Sequence, residues 1–290
     1  MTRLDLRNPF NAPIYHEELV GSTMDVSKAL AREGDCASVP HGTVVCADFQ
    51  EAGRGRVQGR VWDAGRRDSL MFTMLLRFPR LGDIPKALTL RAGLAVALAI
   101  EDFAPRLGGK VKIKWPNDVM LPAPAVCGEG AQVFRKAVGI LAEAEGGNVH
   151  IGIGVNVAQR EFPAGLRDKA TSVALATGAE IESGQRFALL EKILARLHGE
   201  LETAGDAWRE RIDARLYMKG ARADFAEGPP DSARVFAGTI AGVGADGELL
   251  IVRDGETEAR AFVSGELALR LEANPQKAGG TRRDTLPAGS

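Results

Sequence analysis

The sequence is poor in residues that hold metals or form disulfides. Its three cysteines, Cys36, Cys46 and Cys127, form no C-x-x-C pair, and its four histidines are scattered. Protein zinc sites need such residues clustered at short spacings. We therefore expect no metal held by histidine or cysteine. An odd number of unpaired cysteines is typical of reduced thiols in a cytosolic compartment.

A long hydrophobic segment is also missing. The most apolar run, from Ala92 to Ile100, is too short to span a bilayer, and two acidic residues follow it. The first residues, Met1 to Asn11, lack the apolar stretch of a signal peptide. We predict a cytoplasmic protein with no membrane partner, in which the apolar run forms a buried helix.

Net charge is nearly absent as well. The formal value is -1, so the whole molecule has no general attraction for nucleic acid or anionic membranes. An apolar fraction of 45% and a charged fraction of 26% are those of an ordinary globular protein. The length of 290 residues favours one large domain, with or without a small companion.

Helical and strand-like segments are interleaved along the chain. Cap residues and apolar spacing predict helices at 22–34, 85–103 and 185–216, the last as one or two helices. β-Branched and apolar runs predict strands at 43–48, 69–78 and 111–115 and a hairpin of 137–144 with 149–157. Because no strict βαβ rhythm connects them, we favour an α+β fold built on a mixed sheet.

The last part of the chain has a different pattern. Short strands alternate with turns from Arg222 to Leu271, which predicts a small β-barrel. The end of the chain is rich in glycine, proline and polar residues, which is typical of disorder. We therefore predict a main domain over 1–218, a barrel over 219–272 and a disordered tail over 273–290.

A glycine- and arginine-rich segment is the strongest local signal: Gly53-Arg54-Gly55-Arg56-Val57-Gln58-Gly59-Arg60-Val61-Trp62. Glycines let the backbone approach a ligand closely, and arginine forks suit carboxylate and phosphate oxygens. The segment lacks the spacing of a P-loop. A solvated basic loop or an RNA-contacting arm is the alternative interpretation.

A second signal is Lys114-Trp115-Pro116-Asn117-Asp118. Proline ends a strand, which places Asn117 and Asp118 where side chains can enter a cleft. An amide beside a carboxylate can serve a nucleotide and its Mg²⁺, because Mg²⁺ takes few carboxylates and keeps substrate phosphates. A simple Asn-Asp turn is the alternative.

Two strand segments carry the remaining signals. Lys136 enters an apolar strand, where its ammonium would act strongly on a phosphoryl oxygen; an ordinary surface lysine is the alternative. Gly152-Ile153-Gly154 begins like a dinucleotide fingerprint, but Val157 occupies the third glycine position. Small residues in a strand more simply let a flat ligand lie against the backbone.

Together these segments resemble the biotin protein ligase family in order and spacing. The motifs are Ser22-Thr23-Met24, Gln50-x-x-Gly53-Arg54-Gly55-Arg56, Lys114-Trp115-Pro116-Asn117-Asp118, Lys136-x-x-Gly139-Ile140-Leu141-x-Glu143 and Gly154-x-Asn156. The resemblance covers roughly Tyr15 to Leu271. It implies a biotin/lipoate ligase-like, class II synthetase-like domain followed by a small SH3-like barrel.

The resemblance also implies an ATP-dependent enzyme. Biotin would be activated to biotinoyl-5′-AMP in the 1–218 domain and passed to a lysine of a biotin carboxyl carrier protein of acetyl-CoA carboxylase. ATP and Mg²⁺ would be the cofactors, with Mg²⁺ near Asp118. A second copy of the chain is a further candidate partner. The stretch before Ser22 is too short for the winged helix-turn-helix of repressor-type members, so we expect no binding to nucleic acid.

The family's functional residues are carried over by motif. Biotin binding falls to Ser22, Thr23, Met24, Gln50, Gly53, Arg54, Gly55, Arg56, Lys136 and Gly139. ATP binding falls to Arg54, Arg56, Trp62, Asn117, Asp118, Lys136 and Asn156. The catalytic residues are Lys136, Arg56 and Asp118. The Gly53 to Gly59 loop would close over the biotin and the adenylate.

The sequence departs from the family pattern at three places. Val57-Gln58 stands before Gly59 where many relatives have one residue, Met24 replaces a frequent asparagine, and Leu121 to Phe134 is longer than usual. Two other functions stay open: a lipoate or octanoate ligase or transferase, and a non-catalytic biotin-sensing module. The glycine- and arginine-rich loop and the Lys114 to Asp118 motif favour biotin.

Overall fold

The computed structural model describes residues 1–34, 37–55, 65–123, 132–203, 205–228 and 233–268. The α-helices in these ranges are α1 (Thr23–Glu33), α2 (Leu88–Phe103), α3 (Val173–Thr177), α4 (Gln185–Glu202) and α5 (Ala207–Asp213). The strands are β1 (Thr2–Leu4), β2 (Ile14–Glu17), β3 (Thr43–Ala47), β4 (Ser69–Arg77), β5 (Lys112–Lys114), β6 (Asp118–Pro122), β7 (Phe134–Glu145), β8 (Asn148–Asn156), β9 (Arg222–Glu227), β10 (Arg234–Val243), β11 (Leu249–Arg253), β12 (Ala259–Phe262) and β13 (Glu266–Ala268).

The first eight strands form one mixed sheet in the order β1-β2-β3-β4-β8-β7-β6-β5. Strands β2 and β3 pair in parallel, and the other neighbours pair antiparallel. Interleaved helices and a mixed sheet confirm the α+β prediction. The hairpin predicted around Gly146-Gly147 is β7 and β8, with Glu145 opposite Asn148.

The two faces of this sheet are covered by different helices. Helices α2 and α4 pack together over a core that takes Ile151, Ile153 and Val155 from β8. Because side chains alternate along a strand, Gly152 and Gly154 fall on the opposite face. Helix α1 packs against β4 and β8. A narrow space between α1 and the glycines is therefore available for a ligand.

Helix α1 begins and ends where the sequence predicts. Ser22 is its N-cap, and the Ser22 hydroxyl accepts a 3.2 Å hydrogen bond from the Met24 amide. Gly34 closes the helix with a bond from its N–H to the Leu30 carbonyl at 2.9 Å. The cap satisfies one orphan helix donor. It also fixes the positions of Ser22 and Thr23, whose side chains are both buried.

The last five strands form a second, antiparallel sheet in the order β12-β11-β10-β9-β13. This sheet is consistent with the predicted SH3-like barrel. Its side chains share one buried cluster with the main domain, in which Leu90 and Trp115 pack with Phe225 and Ile251. The boundary at 218/219 stays a prediction, and the tail at 273–290 lies outside the described residues.

The chain between Lys114 and Pro122 differs from the prediction in one respect. Pro116 ends β5 as expected, but the chain turns at once and Asp118 pairs with Lys114 to start β6. Asn117 therefore lies in the turn, whereas Asp118 is the first residue of a strand. Within the longer 121–134 segment, residues 124–131 lie outside the described part.

Across the described ranges, no helix is both long and apolar enough to cross a membrane. The apolar run from Ala92 to Ile100 lies inside α2, where nearly all of its side chains are buried. The prediction that this run is a buried helix is therefore confirmed.

Candidate functional site

A cleft on the α1 face of the main sheet brings most of the sequence motifs together. It is open to solvent and has an empty volume of about 550 Å³. Its lining residues come from α1 and its N-cap, the segment after β3, the turn between β5 and β6, and strands β4, β7 and β8: Ser22, Thr23, Met24, Gln50, Arg54, Gly55, Phe72, Thr73, Asn117, Lys136, Gly139, Ile140, Leu141, Gly152, Ile153 and Gly154.

One end of the cleft is a network of neutral hydrogen-bonding groups. The Thr23 amide and hydroxyl both donate to Oε1 of Gln50, at 2.7 and 3.0 Å. A backbone N–H can only donate, so the Gln50 oxygen is held toward Thr23. The hydroxyl oxygens of Thr23 and Thr73 are 2.9 Å apart. Because Thr23 gives its proton to Gln50, Thr73 is the donor in that pair.

The floor of the cleft is made of glycines on neighbouring strands. Gly139 pairs directly with Gly154 across β7 and β8, and Gly152 is two residues further along β8. A Cβ atom at Gly152 would lie 3.0 Å from Cε of Met24 and 3.6 Å from the Leu141 carbonyl. A flat ligand can therefore rest on the backbone here, as the glycine pattern predicts.

The next side chain on this face of β8 is a buried histidine. Nδ1 of His150 is 2.8 Å from the Ser27 hydroxyl. Burial lowers the pKa of His150 to about 4, and the nearby ammonium of Lys28 acts in the same direction. His150 is therefore neutral at physiological pH. It closes the space beyond the glycine floor without adding a charge to it.

The other end of the cleft is charged. Nζ of Lys136 lies 2.6 Å from Oδ1 of Asp118, and the two side chains are 37% and 19% exposed. This pair is accessible to a ligand, yet partly shielded from water. Asn117 supports it, because its side-chain amide donates to the Ile140 carbonyl at 2.7 Å and its own carbonyl accepts from the Ile140 N–H at 3.0 Å.

The first part of the glycine- and arginine-rich loop lies at the rim. Gly55 and Arg54 line the cleft, and Gly53, just before them, is buried. The guanidinium of Arg54 forms an ion pair with Asp25 in the first turn of α1. Arg56, Gly59 and Trp62, which the sequence also assigns to the site, lie outside the described residues.

Asp48 anchors the two ends of the 49–66 segment. Its carboxylate accepts from Nε2 of His16 at 2.8 Å and from the guanidinium groups of Arg67 and Arg186 at 2.9 and 2.5 Å. Burial alone would raise the pKa of Asp48, but the hydrogen bonds from His16 and Arg67 outweigh it and lower the pKa. Since the Arg67 amide also donates to the Asp48 carbonyl, these residues hold Gln50 in place.

Asn156 is placed differently from the other assigned residues. It is 4% exposed, its Nδ2 donates to the Thr171 carbonyl at 3.0 Å, and its Oδ1 accepts from Gln159. It does not line the cleft described above. The assignment of Asn156 to ATP binding stays a prediction. In the described structure, its side chain stabilises the backbone at Thr171.

A neighbouring cavity contains residues that sequence reasoning missed. It is lined by Arg135, Arg160, Glu161, Phe162, Arg167, Ala170, Thr171 and Leu175. The Lys136 backbone connects it to the cleft, because its N–H donates to Lys169 and its carbonyl accepts from Thr171. These residues are too far apart in sequence to form a motif. Of them, only Arg135 adjoins a segment that the sequence singled out.

The comparisons with known proteins agree with this geometry. The model of the biotin/lipoate A/B protein ligase family matches residues 18–157. A bifunctional ligase/repressor BirA of Bacillus subtilis is 37% identical over 192 residues, or 62% of this chain. This chain spans about half the length of that relative.

Two further relatives are matched over more of their length. A biotin–[acetyl-CoA-carboxylase] ligase of Mycobacterium tuberculosis is 30% identical over 221 residues, which cover 70% of this chain and 74% of that protein. The solved biotin protein ligase of Aquifex aeolicus, in complex with biotin and ATP, superposes with a TM-score of 0.69 at 27% identity. That match covers 89% of this chain and 98% of the Aquifex chain.

Proposed function

Because this chain belongs to the biotin/lipoate A/B protein ligase family, we propose that it activates biotin with ATP to biotinoyl-5′-AMP and then transfers the biotin to a lysine of a carrier protein. The observation that carries the proposal is the cleft itself. A neutral hydrogen-bonding end at Thr23 and Gln50 and a charged end at Lys136 and Asp118 are joined by a glycine floor. These three surfaces, in this order, complement biotin, which has a ureido ring system, an apolar tail and a terminal carboxylate.

The neutral end binds the ureido group of biotin. The Thr23–Gln50 pair keeps the Gln50 amide in one orientation, and Ser22 adds a buried hydroxyl beside it. A site built from hydrogen-bonding groups rejects ligands that leave those groups unpaired. The bicyclic ring lies on Gly152 and Gly154, and the side chain of the substrate extends toward Lys136.

The charged end promotes adenylation. A biotin carboxylate oxygen forms a bond to the α-phosphorus of ATP, the bond to the bridging oxygen breaks, and pyrophosphate leaves with the electron pair. Two anions must approach each other, so the Lys136 ammonium offsets their repulsion and the charge that grows in the transition state. Arg54 lines the same cleft, and the family resemblance assigns Arg56 to the same anionic groups.

Transfer uses the same groups. The acceptor amine attacks the biotinoyl carbonyl, an amide bond forms and AMP is the leaving group. The amine must lose a proton, and the carboxylate of Asp118 is the group that we assign to this step. The acceptor is the biotin carboxyl carrier protein of an acetyl-CoA carboxylase, the substrate class after which the Mycobacterium relative is named.

Mg²⁺ fits the donor set at Asp118. No group of three or more histidine, cysteine, aspartate or glutamate side chains that could hold a metal occurs in the part of the chain that the structure describes. Mg²⁺ in nucleotide sites is bound by one or two carboxylates together with substrate phosphates and water. Asp118 would be its protein ligand, and the ion would neutralise phosphate charge.

The nucleotide base occupies the cavity beyond Lys136. Phe162 supplies an apolar surface there, and Asn156 lies one hydrogen bond away through Thr171. The family resemblance assigns Trp62 to the adenine side of the nucleotide. Binding of the base would draw Asn156 from its present partners toward the ligand.

Biotin-dependent ATP–pyrophosphate exchange tests the first half-reaction, and transfer of radiolabelled biotin to a carrier domain tests the second. We expect both with biotin and neither with lipoate or octanoate. Transfer of lipoate instead would assign the chain to the lipoate branch of the family. Tight biotin binding without exchange would make it a biotin sensor and refute the proposal.

Removing the ammonium tests the role of Lys136. Lys136→Ala should lower the exchange rate by a factor of about 10² or more, because loss of one electrostatic contact at a reacting centre has that effect. Lys192→Ala, in α4, is the control and should retain full activity. An unchanged rate in Lys136→Ala would remove this residue from the mechanism.

A further inference from the structure

A turn of the C-terminal sheet reaches the main domain next to the charged end of the cleft. It consists of residues 244–247, between β10 and β11. The indole N–H of Trp115 donates to the Gly247 carbonyl at 3.0 Å. Trp115 is 3% exposed, so water cannot replace this bond. The two units of the chain therefore meet at the residue that precedes Pro116, Asn117 and Asp118.

The position of this turn is closely defined. Gly247 has a φ of +93°, and a Cβ atom there would lie 2.6 Å from Cβ and 3.1 Å from Cα of Ala87. Asp246 forms an ion pair with Lys86 at 2.6 Å. The turn is thus seated on the N-terminus of α2, and a side chain at position 247 would push its carbonyl away from Trp115.

Trp115 is connected to the reacting groups through a short hairpin. Lys114 pairs with Asp118 across β5 and β6, so the segment 115–117 is the turn of that hairpin. Asn117 is bonded twice to Ile140, and Asp118 is 2.6 Å from Nζ of Lys136. A displacement of the Trp115 ring would therefore move the Asp118 carboxylate relative to Lys136.

We propose that Trp115 is a positioning residue for adenylate formation and that the Gly247 carbonyl of the C-terminal sheet is its anchor. This inference rests on the proposed function. Trp115 does not contact the cleft, and it acts through Asn117 and Asp118. Thr23 and Gln50 lie on other elements, so the effect falls on the nucleotide and leaves biotin binding unchanged.

Trp115→Phe is the direct test, since phenylalanine keeps an aromatic ring and removes the N–H. Leaving the Gly247 carbonyl without its donor should lower kcat/KM for ATP in biotin-dependent pyrophosphate exchange by about tenfold. The KM for biotin should stay within about twofold of the parent value, because Thr23 and Gln50 lie on other elements. A mere loss of folded protein would change neither KM.

Two further variants separate positioning from packing. Gly247→Ala leaves Trp115 intact but displaces its acceptor, and it should reproduce the loss in kcat/KM for ATP. Gly247→Ala also provides the test if Trp115→Phe does not fold. Trp208→Phe is the matched control: Trp208 is 1% exposed and belongs to the same buried cluster. It should lower thermal stability and leave both KM values unchanged.

The outcomes distinguish this inference from the proposed function. No exchange in the parent protein would refute the proposed function itself. An active parent with Trp115→Phe and Gly247→Ala indistinguishable from it would overturn only the positioning role. The role would also be overturned if Trp208→Phe raised the KM for ATP to the same extent. A selective loss for ATP in both test variants supports the inference.

Discussion

At the scale of single residues, the cleft depends on partners that no motif contains. Thr73 is completely buried, and its hydroxyl donates to Thr23, which in turn donates to Gln50. The Thr23 N–H fixes the orientation of the Gln50 amide, and Thr73 directs the Thr23 hydroxyl proton to the same Gln50 oxygen. In the sequence, Thr73 is one more residue of an apolar strand, so its function becomes visible only through these contacts.

Thr73→Val tests this chain of donors. Valine has the same shape but cannot donate, so the buried Thr23 hydroxyl loses a hydrogen bond and the KM for biotin should rise about fivefold. Thr73→Ser keeps the hydroxyl and should stay near the parent value in the same exchange assay. Equal KM values for the two variants would show that biotin binding does not depend on the Thr73 hydroxyl.

His150 makes stability depend on pH in a known direction. Its pKa in the folded protein is about 4, below the ordinary value of 6.5, so the unfolded chain binds more protons between these values. The contribution of neutral His150 is complete above pH 6.5 and is lost as the pH falls toward 4. Burial also lowers the pKa of His41, which acts in the same direction.

His150→Gln should therefore reduce the fall in Tm between pH 6.5 and 4, without removing it, because His41 remains. Thermal unfolding of parent and variant across this range is the measurement. His198→Gln is the comparison: His198 is partly exposed and acts on this pH range through its effect on the pKa of His41, so this variant should change the fall in Tm less than His150→Gln does. An equally steep fall in Tm for parent and His150→Gln would show that His150 does not cause the loss of stability at low pH.

At the scale of elements, the sequence predicts those with strong local signals. Helix α1 has a cap at each end, and β7 and β8 are joined by two glycines, so their positions follow from local chemistry. Strand β6 was missed because Pro116 ends β5, and nothing local indicates that the chain pairs back at once. Strands β1 and β2 were missed for a similar reason, since they are short and gain stability from the sheet beside them.

The spacing between α1 and β8 is set by one glycine. In Gly152→Ala, the new Cβ would lie 3.0 Å from Cε of Met24, so the end of the methionine must shift by a few tenths of an ångström in the cleft that both residues line. We expect the KM for biotin to rise about tenfold, the size of a typical overpacking cost. The double variant with Met24→Ala should restore the KM.

The control for this variant is Gly199→Ala. Gly199 is in α4, and a Cβ there meets nothing within 4 Å. Alanine in a helix interior should raise stability slightly and leave the KM for biotin unchanged. If Gly152→Ala behaved in the same way, the glycine floor would not border the ligand.

At the scale of the whole molecule, the C-terminal sheet and the main domain share a core. Leu90 and Trp115 from one unit and Phe225 and Ile251 from the other belong to one buried cluster. The alternation of short strands and turns predicts a small β-barrel for the last part of the chain, but a contact between distant segments leaves no local pattern. The cytoplasmic location and a second copy of the chain as partner stay predictions.

The shared core should make both units unfold together. We expect a single calorimetric transition whose calorimetric and van't Hoff enthalpies agree. Phe225→Ala, at a completely buried position, should destabilise the main domain as well, by about 3 kcal/mol or more. Two separate transitions, or a Phe225→Ala variant in which only the last strands melt early, would show that the units are independent.

The ion pair between Lys136 and Asp118 has a consequence for the empty protein. A cationic pocket without its own counter-ion would attract the inorganic phosphate and organic acids that surround any protein in a cell. Here the carboxylate already neutralises the ammonium, so abundant small anions gain little by entering. A ligand that also contacts the neutral end and the glycine floor gains enough binding free energy to offset the loss of that ion pair. The empty cleft therefore selects its ligand before any chemical step begins.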